Sequence, residues 1–318
     1  MEDGFYLSTY VHVHPLAYCY KTSARHDHNI SLWLKEGRKI KLVHYWELER
    51  TTGQKHHSQS FFCIEHAKRY INSLLKEYNL TIEDMQEIWG TPGLDTTQQY
   101  FFPEDAKNYA YHNICHLYSA ILSDTEIFYN NPVIGLSLDG GPDNVVDMHV
   151  DKKRHFVGCY SVNGEISDYF TVYSPGPLWS SAKELTGMEE GSLMALASAA
   201  DCRLIDYNPE IILCEDMKST YTAISFVEEL ISKVTNLTER DTGTKFTGYD
   251  SRFSHEENCI SMVAKVIQEM SVKIMEYNIK NIVEKFNVKT DECYLSIAGG
   301  FALNCPSNSS IMEGLLQK

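Results

Sequence analysis

Two short apolar strands that each run into paired glycines constrain this chain most. Residues 133–138 end at Asp139-Gly140-Gly141, and Tyr294–Ala298 ends at Gly299-Gly300, followed by Phe301-Ala-Leu-Asn304. A brief apolar run bounded by turn residues reads as a buried strand. Glycine just after it lets the backbone turn tightly or approach a ligand closely. A strand, a glycine turn and a helix in succession are a common way to hold a phosphate, although Asp, Gly and Pro together also make an ordinary turn.

The remaining pattern alternates between strand and helix. Residues 30–49 read as two strands around a turn at Gly37. Residues 63–78 and 104–122 read as helices, and residues 158–173 as a hairpin turning at Asn163-Gly164. A long helix is expected over 256–286, with Ile260, Val263, Ile267, Met270, Ile274, Ile282 and Phe286 on or near one face. This predicts an α/β protein of two similar lobes with a cleft between them. The first lobe would be 1–131, carrying a histidine-bearing helix, and the second 132–318, with the boundary near Asn130-Asn131-Pro132.

A formal charge of −15 argues against a nucleic-acid binder, which needs a basic surface. A few backbone N–H groups can still hold a nucleotide on an acidic protein. The nine cysteines show no Cys-x-x-Cys pair and no framework spacing, so they read as reduced, packing thiols. No stretch approaches the roughly 20 apolar residues that would cross a membrane, and the Met1-Glu-Asp-Gly start is acidic where a signal peptide is basic. The expectation is a soluble, cytoplasmic protein that engages neither membrane nor nucleic acid.

His112 and His116 stand four apart in Ala110-Tyr-His-Asn-Ile-Cys-His-Leu-Tyr-Ser-Ala120. On a helix, Ala110, Ile114, Leu117 and Ile121 form an apolar stripe, and the two imidazoles fall opposite it with Ser119. Histidines at this spacing can share a metal ion, with Asp139 at a strand end completing the shell; a solvated surface pair is the plain alternative. A zinc protease would need glutamate after the first histidine, and Asn113 stands there. Arg50, Lys55, His56 and His57 could bind an anion, and His26-Asp27-His28-Asn29 is a second dense polar group; a solvated loop is the default reading of the first and the plain explanation of the second.

Taken in order, these segments resemble the O-carbamoyltransferases of the nodulation and antibiotic-biosynthesis type, in their N-terminal actin-like ATPase domain. That domain is itself similar to the enzyme that transfers threonylcarbamoyl to tRNA. The resemblance covers most of the chain. It runs through His26-Asp27 with Ile30-Ser-Leu-Trp-Leu-Lys-Glu-Gly37, then Glu47-Leu-Glu-Arg50-Thr-Thr-Gly-Gln-Lys55-His56, then His112-Asn-Ile-Cys-His116-Leu-Tyr-Ser119-Ala120 and Ser137-Leu-Asp139-Gly140. It continues through Leu178-Trp-Ser-Ser-Ala-Lys-Glu-Leu-Thr-Gly187 and Glu190-Gly-Ser-Leu-Met-Ala-Leu-Ala197 to Gly299-Gly300-Phe-Ala-Leu-Asn304-Cys305, its closest match.

The resemblance implies an actin-like (ASKHA) fold of two RNase H-like lobes. Carbamoyl phosphate and ATP would give carbamoyl adenylate in a separate C-terminal domain, and the actin-like part would pass the carbamoyl group to a hydroxyl of a small-molecule or glycan acceptor. His112, His116 and Asp139 would hold a divalent metal, Fe2+, acting as Lewis acid. Gly140, Gly141, Gly299, Gly300 and Asn304 would cradle the adenylate. Arg50 and Lys55 would neutralise phosphate, and His26 would be the general base for the acceptor, a role open also to His28 or His14.

The chain departs from that pattern at Asn113, where the family often has a second histidine, at Gly141-Pro142-Asp143, and at Ser192, a common lysine position. The further metal carboxylate and the adenylate-forming domain would lie beyond residue 318, in a longer chain or a separate partner. A small-molecule kinase of the same fold, using Asp139 without the histidines, and a non-catalytic nucleotide-binding subunit are the alternatives.

Overall fold

A computed structural model describes residues 1–22, 24–97, 103–143, 145–147, 149–241 and 243–316. The chain divides into two compact units, Met1–Phe102 with Asp143–Met148, and Pro103–Pro142 with His149–Lys318. Among the described residues, no helix is long and apolar enough to cross a membrane.

In the first unit, β1 (Gly4–Tyr10) is followed by a short helix α1 (Pro15–Tyr20), then by β2 (Asn29–Glu36) and β3 (Lys39–Glu47), which turn at Gly37 as the sequence predicts. Helices α2 (Leu48–Thr52) and α3 (Ile64–Leu75) precede β4 (Met85–Trp89). The sheet order is β3-β2-β1-β4; β1 is antiparallel to β2 and parallel to β4. Ala67, Ile71 and Leu75 recur every fourth residue of α3 and are buried with Leu7, Ile30 and Leu32 of the sheet.

The second unit begins with α4 (Tyr111–Ile121), α5 (Thr125–Asn130) and β5 (Pro132–Ser137). Strands β6 (Val157–Val162) and β7 (Glu165–Thr171) form the expected hairpin. Asn163 and Gly164 take φ of 51° and 83°, the left-handed pair that a two-residue turn of matching twist requires. Then come α6 (Gly176–Thr186), α7 (Glu190–Ala199), β8 (Arg203–Leu204), α8 (Met217–Thr235), β9 (Phe246–Thr247), α9 (His255–Phe286), β10 (Tyr294–Ala298) and α10 (Cys305–Leu316). The main sheet runs β10-β5-β6-β7, with β10 parallel to β5 and the others antiparallel. Both four-stranded sheets therefore repeat one plan: a three-strand meander whose first strand gains a later, parallel partner.

Two details differ from the sequence expectation. The stretch 104–122 is not one helix: a 3-10 turn at Glu104–Ala106 is followed by Tyr109, which bridges to Arg154 in parallel, and α4 starts only at Tyr111. Helix α4 packs on β5, β6 and β10, and so belongs with the second unit, whereas the sequence reading grouped it with residues 1–131. Gly135 permits that packing. A methyl group there would lie 2.4 Å from Ile121 Cγ2 and 2.9 Å from Leu117 Cδ1.

Helix α9 has the predicted extent. Its Ser254 hydroxyl accepts from Glu257 N at 3.2 Å while Ser254 N donates to Glu257 Oε2 at 2.7 Å, a reciprocal cap. It is buried on more than the one predicted face, because polar residues inside it have partners. Trp179 Nε1 donates to Ser271 Oγ at 3.1 Å, and Asn278 exchanges both amide bonds with the Tyr173 backbone.

His155 is 2% exposed. Burial holds its pKa below the ordinary histidine value. The folded chain keeps the ring neutral while the unfolded chain protonates it, so stability present above about pH 6.5 is lost as pH falls. His155→Phe is expected to flatten the acid limb of the stability profile by up to about 1.4 kcal/mol per pH unit, read by urea unfolding between neutral and mildly acidic pH.

Candidate metal centre

Helix α4 presents His112 and His116 one turn apart on the side away from its buried stripe, where Ile114, Leu117 and Ile121 are 3% exposed or less. The opposing group comes from the end of β5. Leu138 donates its N–H to Ala298 O at 2.8 Å, which fixes the strand end and points Asp139 at the helix.

Three atoms meet there. His112 Nε2 lies 3.0 Å from Asp139 Oδ2, His116 Nε2 lies 3.4 Å from the same oxygen, and the two nitrogens are 3.1 Å apart. No assignment of ring protons satisfies all three contacts. If both rings carry a proton on Nε2 to serve the carboxylate, the two N–H groups oppose each other. If one ring gives its proton to the other, a nitrogen lone pair faces the oxygen. A shared cation would remove the conflict. Two ligands about 2.1 Å from one ion are about 3.0 Å apart at right angles and about 3.4 Å apart at the tetrahedral angle, the range found here.

The other carboxylate oxygen is held by the backbone. Asp139 Oδ1 accepts from Gly140 N at 2.8 Å and from Gly300 N at 3.0 Å, and Ser174 Oγ donates to the Asp139 carbonyl at 2.7 Å. Bonds of this kind would orient the carboxylate toward a metal held beside it. Burial would raise the Asp139 carboxyl, but the bonds from both imidazoles outweigh it and hold the group well below the usual carboxylate range. Side chains of His112 and Asp139 are each 19% exposed and that of His116 32%, so the cluster is partly open to solvent.

The glycine turns meet Asp139 from both sides. Gly300 and Gly140 spend their N–H groups on the carboxylate, whereas Gly141 is exposed with nothing within 4 Å of where a side chain would start. Gly299 adopts φ 102° directly over Leu138 O. Asn304 is fully buried: its Oδ1 accepts from Ser307 N at 3.0 Å, capping α10, and its Nδ2 donates to Gln268 Oε1 at 3.0 Å. Both ends of that amide are engaged within the protein.

Asn113, the departure noted in the histidine motif, is also buried and accepts a hydrogen bond from Ser137 Oγ at 2.8 Å, tying α4 to β5. Ser174 and Gly176, which support the Asp139 backbone, were missed by sequence reasoning. Their only signal was the Ser174-Pro-Gly-Pro177 turn after the hairpin.

In the first unit, Arg50 is 80% exposed and paired with Glu47 at 2.8 Å, and Lys55 is exposed. His26 Nδ1 lies 2.5 Å from Asp27 Oδ2, and His56 Nδ1 lies 2.9 Å from Asp27 Oδ1. His28 and His57 are buried beside one another with ring centroids 5.5 Å apart. His12 Nδ1 is 2.7 Å from Ser60 Oγ, and His14 accepts from Ala17 N as the cap of α1.

The chain matches no protein-family model and no curated protein.

Proposed function

We propose that this chain is the transferase part of an O-carbamoyl-transferring system, with a divalent metal held by His112, His116 and Asp139 beside an adenylate on an actin-like pair of lobes. The observation that carries the metal is the three-way contact that no protonation state satisfies. The repeated meander-plus-parallel-strand plan supports the actin-like reading, and the ordered motif blocks supply the carbamoyl chemistry.

Two imidazoles and one carboxylate with open positions suit iron(II) or zinc(II), and the resemblance implies iron. Bound there, the ion would serve as a Lewis acid toward a phosphoryl or carbonyl oxygen. The chain's own groups have separate tasks. Asp139 stays ionised and aimed, while the Gly140 and Gly300 amides hold it in place. Gly141 and the turn at Gly299 leave backbone accessible to an adenylate, and Asn304 acts by capping α10 rather than by touching ligand. In the first unit, His26 is the candidate base for the acceptor hydroxyl, and Arg50 and Lys55 are exposed cations for anionic groups. A kinase of the same fold would leave the histidine cluster without a task.

The test supplies ATP, carbamoyl phosphate and an adenylate-forming partner domain, adds the iron-loaded chain with mixed sugar acceptors, and measures AMP and carbamoylated product. The expected result is AMP release and product that both require the chain and iron. ADP with phosphorylated acceptor would establish the kinase instead. Carbamoyl adenylate that persists unchanged in the presence of the chain would overturn the transferase and leave a nucleotide-binding subunit.

A further inference from the structure

The first unit holds a second convergence of metal-ligating atoms, far from α4 in sequence. His26, Asp27 and His56 each offer one ligand atom, and these three atoms lie within 4.8 Å of one another. The Asp27 carboxylate lies between the rings, with Oδ2 2.5 Å from His26 Nδ1 and Oδ1 2.9 Å from His56 Nδ1. Both imidazoles turn the same nitrogen, Nδ1, to the carboxylate, and all three side chains are exposed by half or more. We infer that His26, Asp27 and His56 form a second, open site for a borderline divalent cation of the zinc, cobalt or nickel type.

The loops that carry these groups are held in unusual conformations to bring them together. Asp27 has φ 56° and His56 φ 54°, in the left-handed region that non-glycine residues visit sparingly. Conformations of this kind persist where surrounding bonds over-determine them. Such bonds are present. His28 N donates to His57 O at 3.0 Å and Leu48 N to His28 O at 2.9 Å, which staples the two loops; His56 N donates to Glu49 Oε2 at 2.7 Å, and Asn29 Nδ2 to Asp27 O at 3.0 Å. Two imidazoles and a carboxylate, open to solvent, keep positions for water or substrate, the arrangement of catalytic rather than closed structural sites.

Where the cation is bound, this site refines the part that the proposed function gives His26, on which reading this step rests. With Nδ1 on a cation, the proton of the ring resides on Nε2, and the ring cannot accept another. Water on the ion, made more acidic by it, would lose a proton to solvent, and the hydroxide left would then be the group able to take up a proton from an acceptor hydroxyl.

The test uses the full chain carrying His112→Ala and His116→Ala, so that the α4 centre contributes nothing, and titrates it with Co2+ alone. The expected result is about one equivalent of Co2+ bound through nitrogen and oxygen, with visible d–d absorption and no thiolate-to-cobalt band. His26→Gln and His56→Asn should each weaken binding at least about tenfold. Both substitutions are at exposed positions, and asparagine tolerates the positive φ at 56, so a folded variant is expected. Absence of stoichiometric Co2+, a thiolate band, or affinity indifferent to both substitutions would overturn the site and leave a carboxylate hydrogen-bonded to two rings.

Discussion

Gly299→Ala is expected to lower the stability of the second unit by about 3 kcal/mol or more. Two costs act together. The residue has φ 102°, which an alanine side chain strains, and the new methyl carbon would lie 2.2 Å from Leu138 O and 3.2 Å from Asp139 Cβ. The neighbours cannot yield easily, because Leu138 N donates to Ala298 O at 2.8 Å and Phe301 N to Leu138 O at 3.2 Å. Any relief must part these strand ends and move Asp139 with them. Gly141→Ala is the control: nothing lies within 4 Å of its methyl position, and its φ is not in the left-handed region. Its effect should stay within about 1 kcal/mol. Urea unfolding of both variants reads the contrast, and a Gly299→Ala protein as stable as the parent would refute the close approach.

The second large effect concerns chemistry. Replacing His112 and His116 together by alanine should reduce iron-dependent AMP release from carbamoyl adenylate by about a thousandfold, corresponding to the several kcal/mol of charge stabilisation that a bound metal supplies. Folding should be little altered, since both rings lie outside the apolar stripe of α4, with side chains 19% and 32% exposed. Asp139→Asn should match the double variant, because the amide keeps the shape but not the charge that anchors the cation. Equal unfolding midpoints with undiminished AMP release would separate the histidines from the reaction.

Much of the scaffold was legible because it follows local rules. The strand at 133–138 and the hairpin turn at Asn163-Gly164 are set by apolar runs and by residues that tolerate left-handed φ, and the structure repeats both. The spacing of His112 and His116 placed both rings on one side of α4 in advance, and their position opposite the stripe is where the structure has them. What spacing could not convey was long-range. The pairing of α4 with β5 depends on the missing side chain of Gly135, and the Asp139 carboxylate depends on an amide from Gly300, 161 residues away. Asn304 looked like a ligand-binding residue beside a glycine turn, yet burial turns its amide toward Ser307 and Gln268. His56 reaches Asp27 across 29 residues, a separation that carries no periodic signal.

Iron content decides whether His112, His116 and Asp139 hold a metal. The full chain would be reconstituted with Fe2+ under anaerobic conditions, desalted, and assayed for metal beside its His112→Ala/His116→Ala variant. A second, weaker site of different preference is removed from the comparison by carrying His26→Gln in both proteins. About one tightly held equivalent is expected in the first protein and less than about a tenth in the second. Equal iron in the two, whether near zero or near one, would contradict a metal centre at His112, His116 and Asp139.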